Sequence, residues 1–575
     1  MSNYWDNRRA LARYRIGRRR FVTGSAAASA GLAALGLVGC GDDSSTSTST
    51  TAAGSATPAG AATAGATTTA ASTTSQAKKG GTLKMMDFIG SDVYDPAITG
   101  HAGSFYGGMA MVYENLNRTS TGFKVEAMLA GLPEQVDQLT LIYKLKPGVK
   151  WQNVPPLNGR AFNAQDAAFG LQRFGQSNPE FIFGSRFSAI DKYEAVDAST
   201  LKITTKSPFS PLVTNIAEDN TLMVSKEAVD KFGDAGLKQH ANMIGTGAFV
   251  PAGFDPTAAK VTRNPSYWQA GLPYLDGIDI TQITDAAQRQ AAFVAGQVDM
   301  NAGWGMGTLV ADAKTYKDQL GDKMRAEAKQ LVGRTTTHFN TLKPPFGDPR
   351  VRKALHLATD RDAYDASSGG NYQGMAVIPQ VIQPYGFTKD QLSKLPGYRQ
   401  DKTQDIKDAK ALLSAAGKGS GFSFTMVTSP ANPLSQIMQQ NWKDLGVDVK
   451  FQEVTINEWL TARIQGNFEV ITAAMTEAAD PDQPLYGANH SKGSVNFGKF
   501  SDPAIDALCE KQRTIFNTQE RKAVTDDLQN KLLELSPQIW TVSYTFQNVI
   551  RSYVKDFVVI PGYQGWMFAS TWLDK

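Results

Sequence analysis

Catalysis needs particular side chains at particular spacings, and this chain offers few of them. Its histidines, His101, His240, His338, His356 and His490, are scattered, with no His-x-x-x-His pair and no cysteine companion, so a metal site is not expected. A hydrolase elbow needs Gly-x-Ser-x-Gly, but the run from Gly417 to Gly421 carries Lys418 where the first glycine belongs. The same run lacks the Gly-Lys-Ser/Thr ending of a phosphate-binding loop and reads as a helix stop and turn. Asp480 and Asp482 could be the carboxylate pair of glycoside hydrolysis, yet the prolines around them favour a loop. No catalytic residue, metal or cofactor is expected.

The clearest chemical signal is a thiol near the start. Arg18-Arg19-Arg20-Phe21-Val22 fits the twin-arginine export pattern, and the apolar stretch from Phe21 to Gly39 follows it. Leu37-Val38-Gly39-Cys40 has the form of a lipobox, whose small residues admit a peptidase and whose thiol accepts a diacylglyceryl group. Residues 1–39 are therefore expected to be a lipoprotein signal peptide, with Cys40 lipidated and holding the chain to the outer face of the bacterial cytoplasmic membrane. The stretch is marginal as a spanning helix. The other cysteine, Cys509, then has no disulfide partner and reads as a small buried residue.

Charge points the same way. Seven arginines in residues 1–40 face only Asp6, and removing that net +6 from the formal +4 leaves the body near −2. A nucleic-acid partner is thereby disfavoured.

The elements that position any site begin after a tether. Residues 41–79, almost entirely Ser, Thr, Ala and Gly, cannot bury enough apolar surface to order themselves. Beyond them, short strands alternate with helices. Strands are expected at "GTLKMMDF", "LTLIYKLKPGVKW", "STLKITTKSPF", "VDVKFQEV" and "FEVITAAM". Helices are expected at "NAQDAAFGLQRF", capped by Asn163, and at "DPRVRKALHLATDRDAY", capped by Asp348 with Pro349 in its first turn. Helices also suit "DIKDAKALLSAAG", "LSQIMQQNWKDLG" and "NEWLTARIQG". The class is α/β in several lobes.

Several of these segments, in order, resemble the family 5 extracellular solute-binding proteins, the dipeptide- and oligopeptide-binding type that serves bacterial ABC importers. The similar blocks are "MVYENLNRTSTGFKVEAMLAGLPEQVDQLTLIYKLKPGVKW", "NGRAFNAQDAAFGLQR", "IGTGAFVPAGF", "VTRNPSYWQAGLPYLDGIDI" and "FNTLKPPFGDPRVRKALHLATDR". Ala248 stands where proline is usual. The resemblance implies a two-lobed, hinged periplasmic-binding-protein-like fold of type II, in its three-domain peptide-binding variant. One lobe would combine 80–125, 245–337 and 541–575, with a smaller domain of 126–244 inserted in it. The second lobe would cover 338–540, with crossings near Phe339 and Trp540.

Site residues follow from the same likeness. In "AAMTEAADPDQPL", counting back from Pro481 puts Glu477 where a carboxylate holds a peptide's amine, whereas counting forward from "QGNFEV" puts Ala478 there. Met475 replaces a common aromatic wall. Trp304 could wall the cleft or pack at its rim, and Arg463 could face a ligand carboxylate or lie exposed on its helix. Tyr106, in a glycine-rich segment, could approach the ligand. Trp151, Tyr267 and Trp268 look structural. The function implied is that of a monomeric, lipid-anchored capture protein for peptides or peptide-like solutes, delivering to ABC permease subunits. The same fold could take a sugar, a nickel chelate or an opine; a secreted lipoprotein hydrolase and a signalling receptor domain are the readings of other classes.

Overall fold

Leu83 and Met85 alternate with polar neighbours, and Thr82–Met86 accordingly forms a strand with those two residues buried. The computed structural model describes residues 76–575 except 88, 90–92, 99–107, 177, 179–180, 182–183, 302–307, 309, 368–371, 429–432, 477–478 and 561–564. Thr82–Met86 lies in an 11-stranded sheet whose middle is a ribbon of two long antiparallel strands, Met324–Phe339 and Gln538–Arg551. On one side of the ribbon come Val470–Thr476, Phe422–Thr428 and Val447–Glu453. On the other come Met300–Asn301, Thr82–Met86, Gly277–Thr281, Ala258–Arg263 and Phe249–Asp255, and the eleventh strand, Tyr372–Gly374, pairs with Gln538–Arg551.

These two halves of the sheet use different lengths of the ribbon. Val470–Thr476 pairs with residues from Gly333 to Phe339, whereas Met300 pairs with Ile550, opposite Arg325. Between the two lengths the register shifts twice, between Gln330 and Arg334 and between Thr335 and Thr336. Such irregularities interrupt the ladder and bend the strand. The result is the mixed α/β, two-lobed architecture expected from the sequence.

Each half has its own core. Helices Pro349–Ala358, Thr403–Ala415 and Pro433–Lys443 bury Leu355, Leu413 and Met438 against one face of the Val470–Thr476 half. Helix Ile456–Gln465 covers the other face through Trp459. A separate sheet, ordered Glu134–Gln135, Thr140–Lys144, Thr200–Thr205, Ile190–Asp197, packs on helix Ala164–Phe174. That helix starts where Asn163 predicts, in a capping box with Asp166. Asp166 also accepts a bond from Trp151 Nε1 at 3.1 Å, so this tryptophan is structural, as read from the sequence. Cys509 is fully buried in Pro503–Arg513, and burial pushes its thiol pKa up. Among the described residues, no helix is long and apolar enough to cross a membrane.

One buried carboxylate gathers three of the sequence blocks. Glu114, only 5% exposed, accepts from Thr246 Oγ1 at 2.8 Å, from Tyr267 Oη at 2.6 Å and from Trp268 Nε1 at 2.9 Å. The approach that brings Thr246 there is close enough to require glycine: a Cβ on Gly245 would stand 2.0 Å from the carbonyl oxygen of Val112. Burial raises the Glu114 pKa from 4.5 to about 7, against the pull of its three donors.

Two consequences are testable by calorimetry on the full chain. Glu114→Ala strands three buried donors, and a loss of about 3 kcal/mol is expected. Because the folded-state pKa lies above the unfolded one, the neutral acid supports folding fully below about pH 4.5, and that support is lost as pH rises through about 7. Relative to Glu114→Gln, which does not titrate, the wild type should therefore gain about 3 kcal/mol between pH 8 and pH 4.5. An unchanged difference across that range would contradict the burial account.

Candidate functional site

Of the candidate site residues, Arg463 falls among the described residues, on the Val470–Thr476 half of the sheet. Arg334, Thr336 and His338 alternate along the ribbon strand and share one face of the sheet, under helix Ile456–Gln465. His338 is buried; its Nε2 lies 2.8 Å from Thr336 Oγ1 and its ring meets Phe497 edge-on with centroids 5.3 Å apart. Burial, followed by the charges of Arg334 and Arg463, holds its pKa well below the ordinary value, so it is a neutral imidazole at neutral pH.

Arg463 is not the exposed helix residue that one sequence reading allowed. Its guanidinium lies over the rings of Trp459 and Phe497, 4.7 Å from each centroid. Trp459 is four residues earlier on the same helix, the spacing that stacks side chains on one face. Its Nε is buried without a hydrogen-bond partner, and burial alone lowers the guanidinium pKa to about 10. Among the described residues no carboxylate pairs with it. A half-buried cation covered by two rings is a ready partner for an anionic group.

Beyond Val470–Thr476 the chain turns through 479–482, and here two carboxylates that the sequence marks only as loop residues are locked in place. Asp480 and Arg521, each 5% exposed, form a two-pronged ion pair with contacts of 2.6 and 2.8 Å. Asp482 lies 3.0 Å from Arg513 Nε and accepts from Gln512 Nε2 at 2.6 Å. Burial raises the Asp482 pKa to about 6, with Arg513 pulling the other way. Arg513 in turn stacks over Tyr486 at 3.7 Å and over Phe209 at 4.8 Å. This is not the geometry of a glycosidase pair, because both carboxylates are committed to arginines.

The other residues singled out from the sequence, Tyr106, Trp304, Glu477 and Cys40, lie outside the described residues. Among the described residues no cluster of three metal-ligating side chains exists. A surface hollow of about 490 Å³, lined by Gln239, His240, Pro251 and Phe254, shares no residue with the Arg463 or Asp480 clusters.

Comparison with known proteins identifies the family and the fold. A family model described as bacterial extracellular solute-binding proteins, family 5, middle region, matches residues 124–496. The glutathione-binding protein GsiB of Pectobacterium atrosepticum is 28% identical over 444 residues, covering 74% of this chain and 81% of the relative. Heme-binding protein A of Haemophilus influenzae is 26% identical over 462 residues, again 74% of this chain and 81% of the relative. Among solved structures, the periplasmic binding protein DppA of Helicobacter pylori, in complex with the peptide STSA, superimposes with a TM-score of 0.72 at 22% identity. That match spans 87% of this chain and 99% of DppA.

Proposed function

This chain belongs to the bacterial extracellular solute-binding proteins of family 5, transport proteins of ABC importers and not enzymes, and from that premise we propose that its solute is a peptide or peptide-like molecule bearing a carboxylate. The observation that carries the reading is Arg463, a half-buried cation lying over Trp459 and Phe497 with no acidic partner among the described residues. Glutathione, a peptide and heme, named for the relatives and the solved neighbour, all present carboxylates, and a guanidinium partly withdrawn from water favours such a group. In this reading Arg463 receives the carboxylate and Glu477 the amine, with Tyr106 and Trp304 as walls.

Capture takes place between lobes that hinge on the ribbon. We assign 80–125, 245–337 and 541–575 to one lobe, 126–244 to the domain inserted in it and 338–540 to the other. The separate cores and the register shifts at Gln330–Arg334 and Thr335–Thr336 support that division. The protein acts as a monomer that closes on its solute and delivers it to permease subunits. Lipidated Cys40 and the tether to residue 79 keep the folded body within reach of the membrane.

Thermal shift of the full chain against di- and tripeptides, glutathione, sugars and a nickel chelate tests the solute class. A ligand at about 100 times its dissociation constant adds about 2.7 kcal/mol, a shift of several degrees. Free-acid peptides should stabilise and their C-terminal amides should not, and Arg463→Met should weaken the free acids about tenfold or more. Stabilisation by a sugar or chelate with no peptide effect would overturn the reading. For the anchor, Cys40→Ser is expected to move the protein from the membrane to the soluble fraction; retention would mean a spanning helix.

A further inference from the structure

A side chain outside the Arg463 cluster joins two parts of the chain that lobe motion would separate. Glu218 caps the short helix Leu212–Ala217 in the inserted domain, and its carboxylate accepts the backbone N–H of Ala479 at 2.7 Å, across 261 residues of sequence. Its own backbone is fixed from behind: Asn115 Nδ2 donates to the Glu218 carbonyl at 2.6 Å and to the Thr221 carbonyl at 2.9 Å. Ala479 is equally well held, because the next residue, Asp480, is locked to Arg521. The backbone at each end of this bond is therefore anchored, so relative movement of the parts would stretch it.

A second strut runs alongside. The backbone N–H of Ser210 donates to the carbonyl of Arg513 at 2.7 Å, and the Arg513 guanidinium covers the Phe209 ring. Residues 209–218 thus grip 479–482 and the end of helix Pro503–Arg513 at two points. Only the Glu218 point depends on a side-chain acceptor. The groups around its carboxylate are Arg186, Asp219 and Asp480. Removal from water raises its pKa to about 7, with Arg186 opposing. A carboxylate placed where its charge is disfavoured, and spent on one backbone N–H, has little to offer local stability.

We propose that Glu218 is a latch: it holds the inserted domain to the second lobe in the closed protein and breaks on opening, so that its strength helps set the closed-to-open equilibrium. Apparent solute affinity scales with the fraction of binding-competent protein, so the latch acts on capture and release without touching solute. The inference goes beyond the solute reading and needs no ligand to be tested.

Hydrogen–deuterium exchange of the unliganded full chain, followed by mass spectrometry, gives the test. Glu218→Ala should speed exchange by about tenfold in peptides covering 479–482 and, together with them, in those covering 209–215. Glu218→Gln, whose amide oxygen can still accept the Ala479 N–H, should stay within about threefold of wild type. Faster exchange at 479–482 alone would show a merely local bond and overturn the latch, as would no change at either place. Failure of every peptide to bind would refute the solute reading and leave this result unaffected.

Discussion

Backbone pairing between Met324–Phe339 and Gln538–Arg551 runs nearly the length of both strands, and the two halves of the large sheet grow outward from opposite ends of that ribbon. A hydrogen-bonded ladder is stiff along its length, yet it must serve cores that lie on either side of it. The register shifts between Gln330 and Thr336 are where those demands meet. Lacking continuous pairing there, the ribbon has a natural bending place, and it needs no loop to connect the halves.

Around that ribbon, polar groups withdrawn from water do the specifying. Glu114 binds three separated blocks into one core, and Asp480 with Arg521 fixes the chain immediately beyond Val470–Thr476. These buried groups are satisfied by partners inside the fold. Arg463 differs, since among the described residues no carboxylate balances its charge and two aromatic faces cover its guanidinium. A half-buried cation with no carboxylate partner among the described residues suits a protein that must favour an anionic solute over water.

The sequence made the scaffold legible because its signals are local. The capping box at Asn163, the Asp348–Pro349 helix start and the alternation in Thr82–Met86 each need only a few neighbouring residues. The blocks around Glu114 were readable as a family pattern, but their mutual hydrogen bonds were not. Asp480 and Asp482 read as loop carboxylates because their arginines stand some thirty to forty residues away, on helices whose approach is a tertiary fact. Arg463 could be taken for an exposed residue because Phe497 is distant in sequence, although Trp459 one turn earlier was a visible hint. Tyr106, Trp304 and Glu477 rest on the resemblance and lie outside the described residues.

Solute capture by closure of two lobes about the ribbon is the step on which the proposed function turns. Small-angle X-ray scattering of the full chain, with and without a saturating mixture of di- and tripeptides, tests it most directly. Rigid-body closure should shrink the radius of gyration on binding by about 1 Å. Peptide binding seen by calorimetry with an unchanged scattering curve would contradict it.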